Sequence, residues 1–318
     1  MRVVLTGGGG FVGGAVARRL RDRGDEVVAL VRDPARAGDL HAIGAEMVPN
    51  DLASAAAIGA SLAGADALIH AAGSYRVGIP QGERAAMWDA NVGTTTRVLD
   101  AARIAGTKRI VYVSTCNALG DTHGKVVDES HHRDLAEGFA SWYDETKYRA
   151  HEIAEQRIAD GVPIVIVMPS QVYGPGDHSA FGEQLAAAYA GKLPYRILES
   201  AGLGLVHVDD LAAGIVAAAD NGQAGRSYVL SGPPATLGEA VAIAARVGGR
   251  KPPSLRIPTG VLRALAPVGG VIGQPGLREI VSAGDGLTYW ASSARAEHEL
   301  AFHARPIEDG FRDTFAAA

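Results

Sequence analysis

The first stretch of the chain constrains its fold more than any other stretch does. A short strand-like run, Val3–Thr6, leads directly into four consecutive glycines and then into the helix-like stretch Gly13–Gly24. Gly7, Gly10 and Gly13 have the spacing G-x-x-G-x-x-G. Such glycines allow a tight turn, a close approach of backbone to a pyrophosphate at the helix N-terminus, and close packing of helix on strand. Because these glycines follow a strand and precede a helix, we predict a dinucleotide-binding turn.

Short apolar runs recur along the first half of the chain, with helix-like stretches such as Val92–Ala105 between them. The runs are Val3–Thr6, Val27–Val31, Ala67–His70, Ile110–Val113 and Val162–Met168. Continuous apolar runs of this length are typical of strands that are covered on both faces. Their alternation with helices indicates right-handed β-α-β units. The predicted fold class is therefore α/β, with a doubly wound parallel Rossmann sheet.

The alternation ends near residue 170, where glycine and proline clusters begin. These clusters are Gly174–Gly176, Gly202–Gly204, Gly232–Pro234 and Lys251–Pro253. We predict a dinucleotide-binding domain over residues 1–169 and a smaller C-terminal substrate-binding cap over 170–206 and 223–318. The cap would lie on the carboxyl ends of the strands, where open α/β sheets bind ligands. Residues 207–222 resemble a strand end followed by a helix, and we expect them to return to the first domain.

The composition is that of a globular protein and restricts its partners. Of the 318 residues, 47% are hydrophobic and 20% are charged, which is the balance of a folded chain rather than a disordered one. The formal net charge of −5 disfavours nucleic acid or an anionic membrane as a partner, because both require a basic surface. The single cysteine, Cys116, excludes an internal disulfide and fits a cytoplasmic location. The histidines show no ligand spacing, so no metal site is predicted.

No targeting segment or membrane span is expected. The apolar start of the chain runs into glycines and is better explained by a strand than by a signal peptide. The least polar stretch, Val261–Leu277, contains Arg263 and two prolines, and is too short and too broken to cross a bilayer. We expect a buried helix and turn there.

The end of the second strand-like run indicates which dinucleotide is preferred. An NAD enzyme usually has a carboxylate there, which accepts a hydrogen bond from the ribose 2′-hydroxyl. This chain has Val31 at that position, followed by Arg32, whose guanidinium can pair with a 2′-phosphate. Asp33 leaves an alternative, since it could pair with Arg32 or turn toward the ribose. We predict NADP(H) as the preferred cofactor and NAD(H) as the alternative.

Tyr143 and Lys147 form a Y-x-x-x-K pair inside a helix-like stretch. The i, i+4 spacing puts both side chains on one helix face. A lysine ammonium beside a phenol favours the phenolate and lowers the phenol pKa from about 10. The tyrosine can then exchange a proton with a substrate oxygen while a hydride moves at C4 of a nicotinamide. We therefore predict that this pair is catalytic.

Further short motifs occur along the chain in a fixed order. They are T-G-G-G-G-F-V-G from Thr6, D-L from Asp51, H-A-A-G from His70, N-V-G-T from Asn91, S-T from Ser114 leading to Gly120, P-S-Q-V-Y-G-P from Pro169, H-V-D-D from His207 and S-A-R-A from Ser293. With the Tyr143–Lys147 pair, they resemble the extended short-chain dehydrogenases/reductases, within the NAD-dependent epimerase/dehydratase superfamily. The resemblance covers nearly the whole chain.

The resemblance implies roles along a cofactor groove. Besides Arg32, Tyr143 and Lys147, the residues that it places on the cofactor are Gly7, Gly10, Phe11, Val12, Gly13, Asp51, Leu52, Ala71, Ala72, Gly73, Asn91, Pro169 and Ser170. Asp51 and Leu52 would contact the adenine, and Pro169 and Ser170 would border the nicotinamide. Asn91 would touch the cofactor or order a nearby water.

The resemblance also implies a third catalytic hydroxyl. It falls five residues before Gly120, which is Thr115. A hydroxyl donor there would hold the substrate oxygen as charge develops on it. Ser114 is the alternative, but neighbouring residues of a strand face opposite sides, so only one of the two can serve.

Departures from the family pattern indicate the substrate class. Members that act on nucleotide-sugars carry a diphosphate-binding arginine where this chain has Leu203, and often an arginine and an asparagine where it has Met168 and Gln171. An uncompensated diphosphate in a partly dry pocket would be costly, so we expect a less anionic substrate. The segments V-R-D-P and G-L-G-L-V-H-V-D-D resemble the dihydroflavonol reductase-like branch, which includes bacterial hopanoid-associated sugar epimerase-type proteins.

The function implied is NADP(H)-dependent reduction of a ketone or aldehyde, or the reverse oxidation of an alcohol, with a Tyr-Lys-Thr proton relay. Two alternatives stay open: a sugar or nucleotide-sugar epimerase or dehydratase with retained NAD(H), and a non-catalytic dinucleotide sensor or scaffold. The resemblance leaves two oligomeric states open, a homodimer through the tyrosine helix and its neighbour, and a monomer. The residues expected to line the substrate pocket are Ser74, Tyr75, Arg76, Trp88, Gln171, Tyr173 and Leu203.

Overall fold

The computed structural model describes residues 1–268 and 276–316. Within them the strands are β1 (Arg2–Thr6), β2 (Glu26–Val31), β3 (Glu46–Pro49), β4 (Ala67–His70), β5 (Ile110–Val113), β6 (Ile164–Pro169), β7 (Gln171–Tyr173), β8 (Gly202–His207), β9 (Ser227–Leu230) and β10 (Pro234–Thr236). The helices are α1 (Phe11–Asp22), α2 (Gly38–Ala42), α3 (Ala55–Ser61), α4 (Arg84–Trp88), α5 (Thr94–Ile104), α6 (Trp142–Ala159), α7 (Ala180–Tyr189), α8 (Val208–Asn221), α9 (Leu237–Val247), α10 (Thr259–Leu265), α11 (Leu277–Gly284), α12 (Ala294–Leu300) and α13 (Ile307–Ala316). A π-helical turn, Asp89–Gly93, joins α4 to α5.

Seven strands form one parallel sheet in the order β3-β2-β1-β4-β5-β6-β9. Valine, isoleucine and leucine dominate its central strands, which are buried on both faces. One apolar cluster packs α1 and α8 against one face, and a second packs α3, α5 and α6 against the other. The sheet is therefore a doubly wound Rossmann sheet, as the alternation of strands and helices predicts.

The strand order reverses between β1 and β4, which are neighbours in the sheet. Thr6 and His70 end these two strands and lie directly opposite each other in the parallel register. The glycine-rich turn follows Thr6 at once. Open α/β sheets bind ligands outside the carboxyl ends of the strands at such a reversal. The fold thus opens a groove where the sequence carries its glycines.

A second, smaller sheet contains β10, β8 and β7. The glycines Gly202–Gly204, which end the regular alternation of the first domain, lie at the start of β8 in this separate sheet. β8 pairs in parallel with β7 and antiparallel with β10. Backbone hydrogen bonds on both sides thus hold glycines whose own strand preference is low.

The first domain takes in more of the C-terminal part than the sequence predicts. α8, in the segment expected to return, packs on α1. β9 also returns, by pairing with β6, and α12 packs on α8 and β9. The boundary at residue 223 is therefore wrong for β9 and α12, because these elements cover a sheet edge and an apolar face that would otherwise be open. The substrate-binding role of the remaining cap stays a prediction.

The described part of the stretch Val261–Leu277 is more exposed than the buried helix and turn expected there. α10 has no fully buried side chain, and Val261 and Leu265 are exposed. Residues 269–275 lie outside the described part of the chain. Among the helices of residues 1–268 and 276–316, none has the length and apolar character needed to cross a membrane.

Candidate active site

The glycine-rich turn connects β1 to α1 with an open helix N-terminus. Gly7 has a φ of +76°, a conformation that favours glycine. A Cβ at Gly13 would lie 2.1 Å from the Gly7 carbonyl oxygen, so only glycine lets the helix approach the turn this closely. No side chain caps Gly10, so the first N–H groups of α1, at Phe11 and Val12, have no side-chain partner. This arrangement fits an anionic group at the N-terminus.

The end of β2 presents a free arginine beside this turn. Arg32 is exposed and makes no hydrogen bond or ion pair with any described residue. Asp33 neither pairs with Arg32 nor is free to turn toward a ribose. Its carboxylate accepts a hydrogen bond from the Ala35 N–H at 3.0 Å and caps the turn Pro34–Arg36. The carboxylate is thereby directed to its own backbone.

Asp51 and Leu52 lie in the loop after β3. Asp51 is exposed and accepts from the Ala53 N–H at 2.9 Å. Leu52 is buried with a φ of +62°, and the Arg97 side chain donates to its carbonyl oxygen at 2.7 Å. This left-handed backbone is strained for leucine, so the contacts around it must hold it in place.

A buried chain of hydrogen bonds runs beneath the groove and fixes the tautomer of His70. Thr95 Oγ1 donates to the Asn91 carbonyl oxygen at 2.6 Å, so it accepts from His70 Nε2 at 3.2 Å. His70 Nδ1 must then accept from Thr6 Oγ1, which lies 2.7 Å away and itself accepts from the Ala72 N–H. Burial, and next the nearby Lys147 ammonium, lower the pKa of His70 to about 3. His70 is therefore neutral, and both of its nitrogens are occupied.

The π-helical turn places Asn91 against the loop that follows β4. Its Oδ1 accepts from the Ser74 N–H at 2.7 Å, and its Nδ2 donates to the Ser74 carbonyl oxygen at 3.1 Å. Nδ2 also lies 2.9 Å from Thr146 Oγ1 on α6. Asn91 thus connects the loop to the helix that carries Tyr143 and Lys147. Ala71, Ala72 and Gly73 lie between His70 and this contact, where they are partly or fully exposed.

Tyr143 and Lys147 lie one turn apart on the buried face of α6. The helix begins at Trp142, and the Ser141 hydroxyl caps it by accepting from the Asp144 N–H at 3.0 Å. Lys147 Nζ donates to the Val113 carbonyl oxygen at 3.2 Å and lies 5.6 Å from the centre of the Tyr112 ring. Burial lowers the pKa of Lys147 to about 8.

The pKa of Tyr143 moves in the direction opposite to the prediction. Burial, and next the neighbouring Tyr75, raise it above its ordinary value, and hydrogen bonding to Thr115 only partly opposes this rise. The Tyr143 side chain is buried, and the ammonium of Lys147 is directed to a backbone oxygen. The phenol is therefore protonated at neutral pH.

The structure distinguishes the two hydroxyls at the end of β5. The Thr115 hydroxyl donates to Asn117 Oδ1 at 3.2 Å, and hydrogen bonding to Thr115 partly opposes the rise in the pKa of Tyr143. Ser114 Oγ lies 2.8 Å from His151 Nδ1, which is buried one turn further along α6. The two hydroxyls thus have different partners, and the third catalytic hydroxyl at Thr115 stays a prediction.

Aromatic and apolar side chains cover the other side of Tyr143. The rings of Tyr75 and Tyr143 meet edge to face with their centroids 4.8 Å apart, and about half of Tyr75 is exposed. Ile79, Met87 and Trp142 pack around Tyr143 as well. No motif marks these three residues in the sequence, because ordinary apolar residues give no signal until the fold brings them to the tyrosine.

The remaining predicted pocket residues occupy different places. Pro169 and Ser170 end β6 and lead into β7, which contains Gln171, and Leu203 lies on the neighbouring β8. Trp88 packs on Trp142, whereas Arg76 is exposed and pairs with Glu83. Tyr173 is fully buried in the interior of the smaller sheet, in edge-to-face contact with Phe311, which does not fit a pocket-lining position.

A buried ion pair, which the sequence analysis did not identify, holds the start of α6. Arg133 donates to Asp144, the residue after Tyr143, through two nitrogens, one of them at 2.7 Å. Both side chains are at most 5% exposed, so the pair is shielded from water. The Ala140 N–H donates to the same carboxylate. No motif marks this pair, since its members become neighbours only when the loop after β5 folds against the helix.

The parallel sheet, the uncapped glycine turn and the tyrosine–lysine helix define an enzyme of the extended short-chain dehydrogenase/reductase class. The model of the family described as "NAD dependent epimerase/dehydratase family" matches residues 3–231. The chain belongs to that family.

Individual relatives agree with this assignment. The chain is 33% identical, over 85% of its own length and 80% of the relative's, to the 4-hydroxy-2-methyl-3-oxo-4-farnesyl-3,4-dihydroquinoline-1-oxide ketoreductase of Stigmatella aurantiaca. It is also 33% identical, over 71% of its length and 66% of the relative's, to a Synechocystis protein provisionally named dihydroflavonol 4-reductase. Among solved structures, that of gox2253 has a TM-score of 0.86 and 31% identity, covering 99% of this chain and 96% of that one.

Proposed function

We propose that the protein is an NADP(H)-dependent reductase of a ketone or aldehyde that carries no diphosphate. The observation that carries this proposal is the pair of buried side chains Tyr143 and Lys147, one turn apart on α6, in a fold whose glycine turn leaves the N-terminus of α1 without a side-chain cap. Burial raises the pKa of Tyr143, which favours the protonated phenol. A carbonyl oxygen that receives a hydride on its carbon requires a proton, and a protonated phenol is the form that can donate it.

Each of the three polar groups has a distinct role. Tyr143 donates its proton to the substrate oxygen, and Thr115 donates a hydrogen bond that holds this oxygen while negative charge develops. Lys147, as the ammonium, stabilises the tyrosinate that remains. NADPH, when bound, would supply the hydride for this reduction.

Contacts at the end of β2 support NADPH as the cofactor. The exposed Arg32 guanidinium is free to pair with a 2′-phosphate, and Asp33 is committed to its own turn instead of a ribose hydroxyl. Gly7, Gly10, Phe11, Val12 and Gly13 would hold the pyrophosphate. Asp51 and Leu52 would hold the adenine, and Ala71, Ala72, Gly73, Asn91, Pro169 and Ser170 would border the rest of the cofactor.

The surroundings of Tyr143 support an apolar substrate. Tyr75, Val77, Ile79, Met87 and Trp142 offer carbon surface around the phenol. Leu203 stands where relatives that bind diphosphates have an arginine. One relative is named a ketoreductase of a farnesyl-substituted dihydroquinoline oxide. That compound combines a ring ketone with a large apolar group.

The family name favours a second candidate, an epimerase or dehydratase that oxidises and re-reduces its substrate on retained NAD(H). Purified protein that carries tightly bound NAD and gives no net nicotinamide turnover would support this candidate. A scaffold without catalysis is a third candidate, which predicts that loss of Tyr143 has no effect in an activity assay.

Turnover of NADPH and NADH against a panel of apolar ketones and aldehydes tests the proposal, with the Tyr143→Phe variant beside the wild type. We expect Tyr143→Phe to lower kcat by about 10²- to 10⁴-fold while NADPH binding stays the same. Tyr189→Phe is the matched control, because Tyr189 stacks on Phe315 in the cap. Equal activity of Tyr143→Phe and the wild type would contradict the proposal.

A further inference from the structure

Glu279, on α11 of the C-terminal part, reaches two backbone groups beside the candidate site. Its Oε2 accepts from the Gly78 N–H at 2.7 Å, and its Oε1 accepts from the Trp142 N–H at 2.5 Å. The side chain is 15% exposed, so these contacts are largely shielded from water. A single carboxylate thus joins three segments that are distant in sequence.

The two N–H groups belong to the two segments that carry the aromatic rings of the site. Trp142 is the first residue of α6, and its N–H has no partner within the helix. Glu279 supplies that partner and brings a negative charge to the positive end of the helix, where it is stabilising. Gly78 lies three residues after Tyr75, whose ring contacts Tyr143.

Two glycines allow this close approach. Gly78 has a φ of +76°, and a Cβ at Gly276 would lie 2.1 Å from the Gly78 carbonyl oxygen. The start of α11 can therefore lie directly on the loop. Arg84 adds a cation on the outer side, with a nitrogen 3.7 Å from Glu279 Oε1 and its guanidinium 5.2 Å from the centre of the Trp142 ring.

These contacts also form part of a wall between Tyr143 and a neighbouring cleft. A cavity of about 450 Å³ is lined by Ile79, Trp142 and Glu279, among others. Ile79 and Trp142 pack on Tyr143 from their other sides. Loss of the Glu279 contacts would free both residues to move toward the cavity.

We propose that Glu279 is a positioning residue: it holds the loop 75–79 against the start of α6, so that Tyr75 stays packed on Tyr143. It touches neither the reacting atoms nor the cofactor groove, and it acts on turnover through the Tyr75–Tyr143 contact. The kinetic part of this inference rests on the proposed reductase function.

The test compares Glu279→Ala and Glu279→Gln with the wild type. The glutamine keeps one acceptor oxygen and turns an NH₂ group toward the second N–H, so it should preserve one contact and give an intermediate effect. We expect Glu279→Ala to lower kcat/KM by about tenfold or more, because small displacements of reacting groups are costly. The NADPH dissociation constant should stay within about twofold of the wild-type value, since the groove residues are unchanged.

The matched control is Glu239→Gln. Glu239 also accepts a hydrogen bond at the start of a helix, from the N–H of Thr236, the residue before α9. That helix packs against the smaller sheet. The melting temperature of Glu239→Gln should fall about as far as that of Glu279→Gln, whereas its kcat/KM should stay normal. In a Tyr75→Ala background, Glu279→Gln should lower kcat/KM by a smaller factor than in the wild type, because the contact through which it acts is already gone.

Hydrogen exchange separates this inference from the proposed function. The backbone amides of residues 78 and 142 should both exchange faster in Glu279→Ala than in the wild type, and one of the two should exchange faster in Glu279→Gln, whereas Glu239→Gln leaves both unchanged. Unchanged exchange at both amides, or an equal kinetic factor with and without Tyr75, would overturn the role of Glu279. If wild-type protein reduces no carbonyl, the reductase proposal fails. The exchange data alone then show whether Glu279 holds the loop 75–79 against the start of α6. If Glu279→Ala does not fold, Glu279→Gln carries the same tests.

Discussion

At the scale of single residues, the site depends on groups whose charge state is set by burial. His70 is neutral because burial, and next the Lys147 ammonium, lower its pKa to about 3. Lys147 can lose its charge in an accessible range, since burial lowers its pKa from 10.5 to about 8. Burial keeps Tyr143 protonated.

Lys147 should give the activity a limit on the alkaline side. The ammonium is present below its pKa, so kcat/KM for carbonyl reduction should fall as the pH rises through about 8. A lysine whose pKa is lowered by folding binds fewer protons folded than unfolded between about 8 and 10.5, so its contribution to the free energy of unfolding rises with pH there. As the pH rises above about 8, kcat/KM should therefore fall while the contribution of Lys147 to the free energy of unfolding rises.

Rate measurements and denaturant unfolding at the same series of pH values check this prediction. Lys147→Arg keeps its charge above pH 8, so the variant should lose the inflection even if its activity is lower throughout. An inflection near pH 8 that persists in Lys147→Arg would assign it to another group.

Arg32 should decide the choice between the two dinucleotides. Arg32→Ser removes a charged partner of the 2′-phosphate, a contact of about 1.5–3 kcal/mol, so NADPH affinity should fall about 10- to 100-fold. NADH affinity should change little. Arg103→Ser, at an exposed position near the end of α5, is the control for net charge. Calorimetric titration with each dinucleotide measures both effects, and equal losses for NADPH and NADH would contradict the assignment.

At the scale of elements, the position of α6 matters most, because this helix carries both Tyr143 and Lys147. Three contacts from elsewhere hold its first turns: the Arg133–Asp144 pair, the Asn91–Thr146 hydrogen bond and the Glu279 carboxylate. None comes from the neighbouring turns of the helix. The first turns of α6 are therefore held by the loop after β5, by the π-helical turn and by α11.

Removal of one partner of the buried ion pair should be costly. Arg133→Met leaves Asp144 charged and shielded from water, which should lower the free energy of unfolding by about 3–5 kcal/mol. The double variant Arg133→Met/Asp144→Leu should regain part of this loss, because no isolated charge remains. Denaturant unfolding of the two variants tests this, and a double variant less stable than Arg133→Met alone would contradict it.

At the scale of the whole molecule, the proposed cofactor groove spans the loops after β1, β2, β3, β4 and β6, so a bound dinucleotide should stabilise the entire sheet. A ligand present at a hundred times its dissociation constant adds about 2.7 kcal/mol to the free energy of unfolding. NADPH should therefore raise the melting temperature by several degrees, and NADH at equal concentration should raise it less. Thermal unfolding with each dinucleotide measures the difference, and a larger shift with NADH would favour the epimerase candidate.

The chain order of strands and helices was predictable because it depends on local pattern. The apolar runs coincide with β1, β2, β4 and β5 almost to the residue, and the run Val162–Met168 contains most of β6. β8 was not predictable, because its glycines are held in a strand by two partner strands. The place of β9 in the large sheet also depended on a distant partner, since β6 lies about sixty residues earlier in the chain.

The sequence by itself determined the sheet, the glycine turn and the Tyr143–Lys147 pair, because strand runs, glycine spacing and an i, i+4 repeat act over a few residues. Only the tertiary structure decided the rise in the pKa of Tyr143, the contact of Ser114 with His151, the direction of Asp33 and the contacts of Glu279. Burial and hydrogen bonding are set by neighbours that are far away in the chain. A charge state or a contact of that kind does not exist until the fold brings those neighbours together.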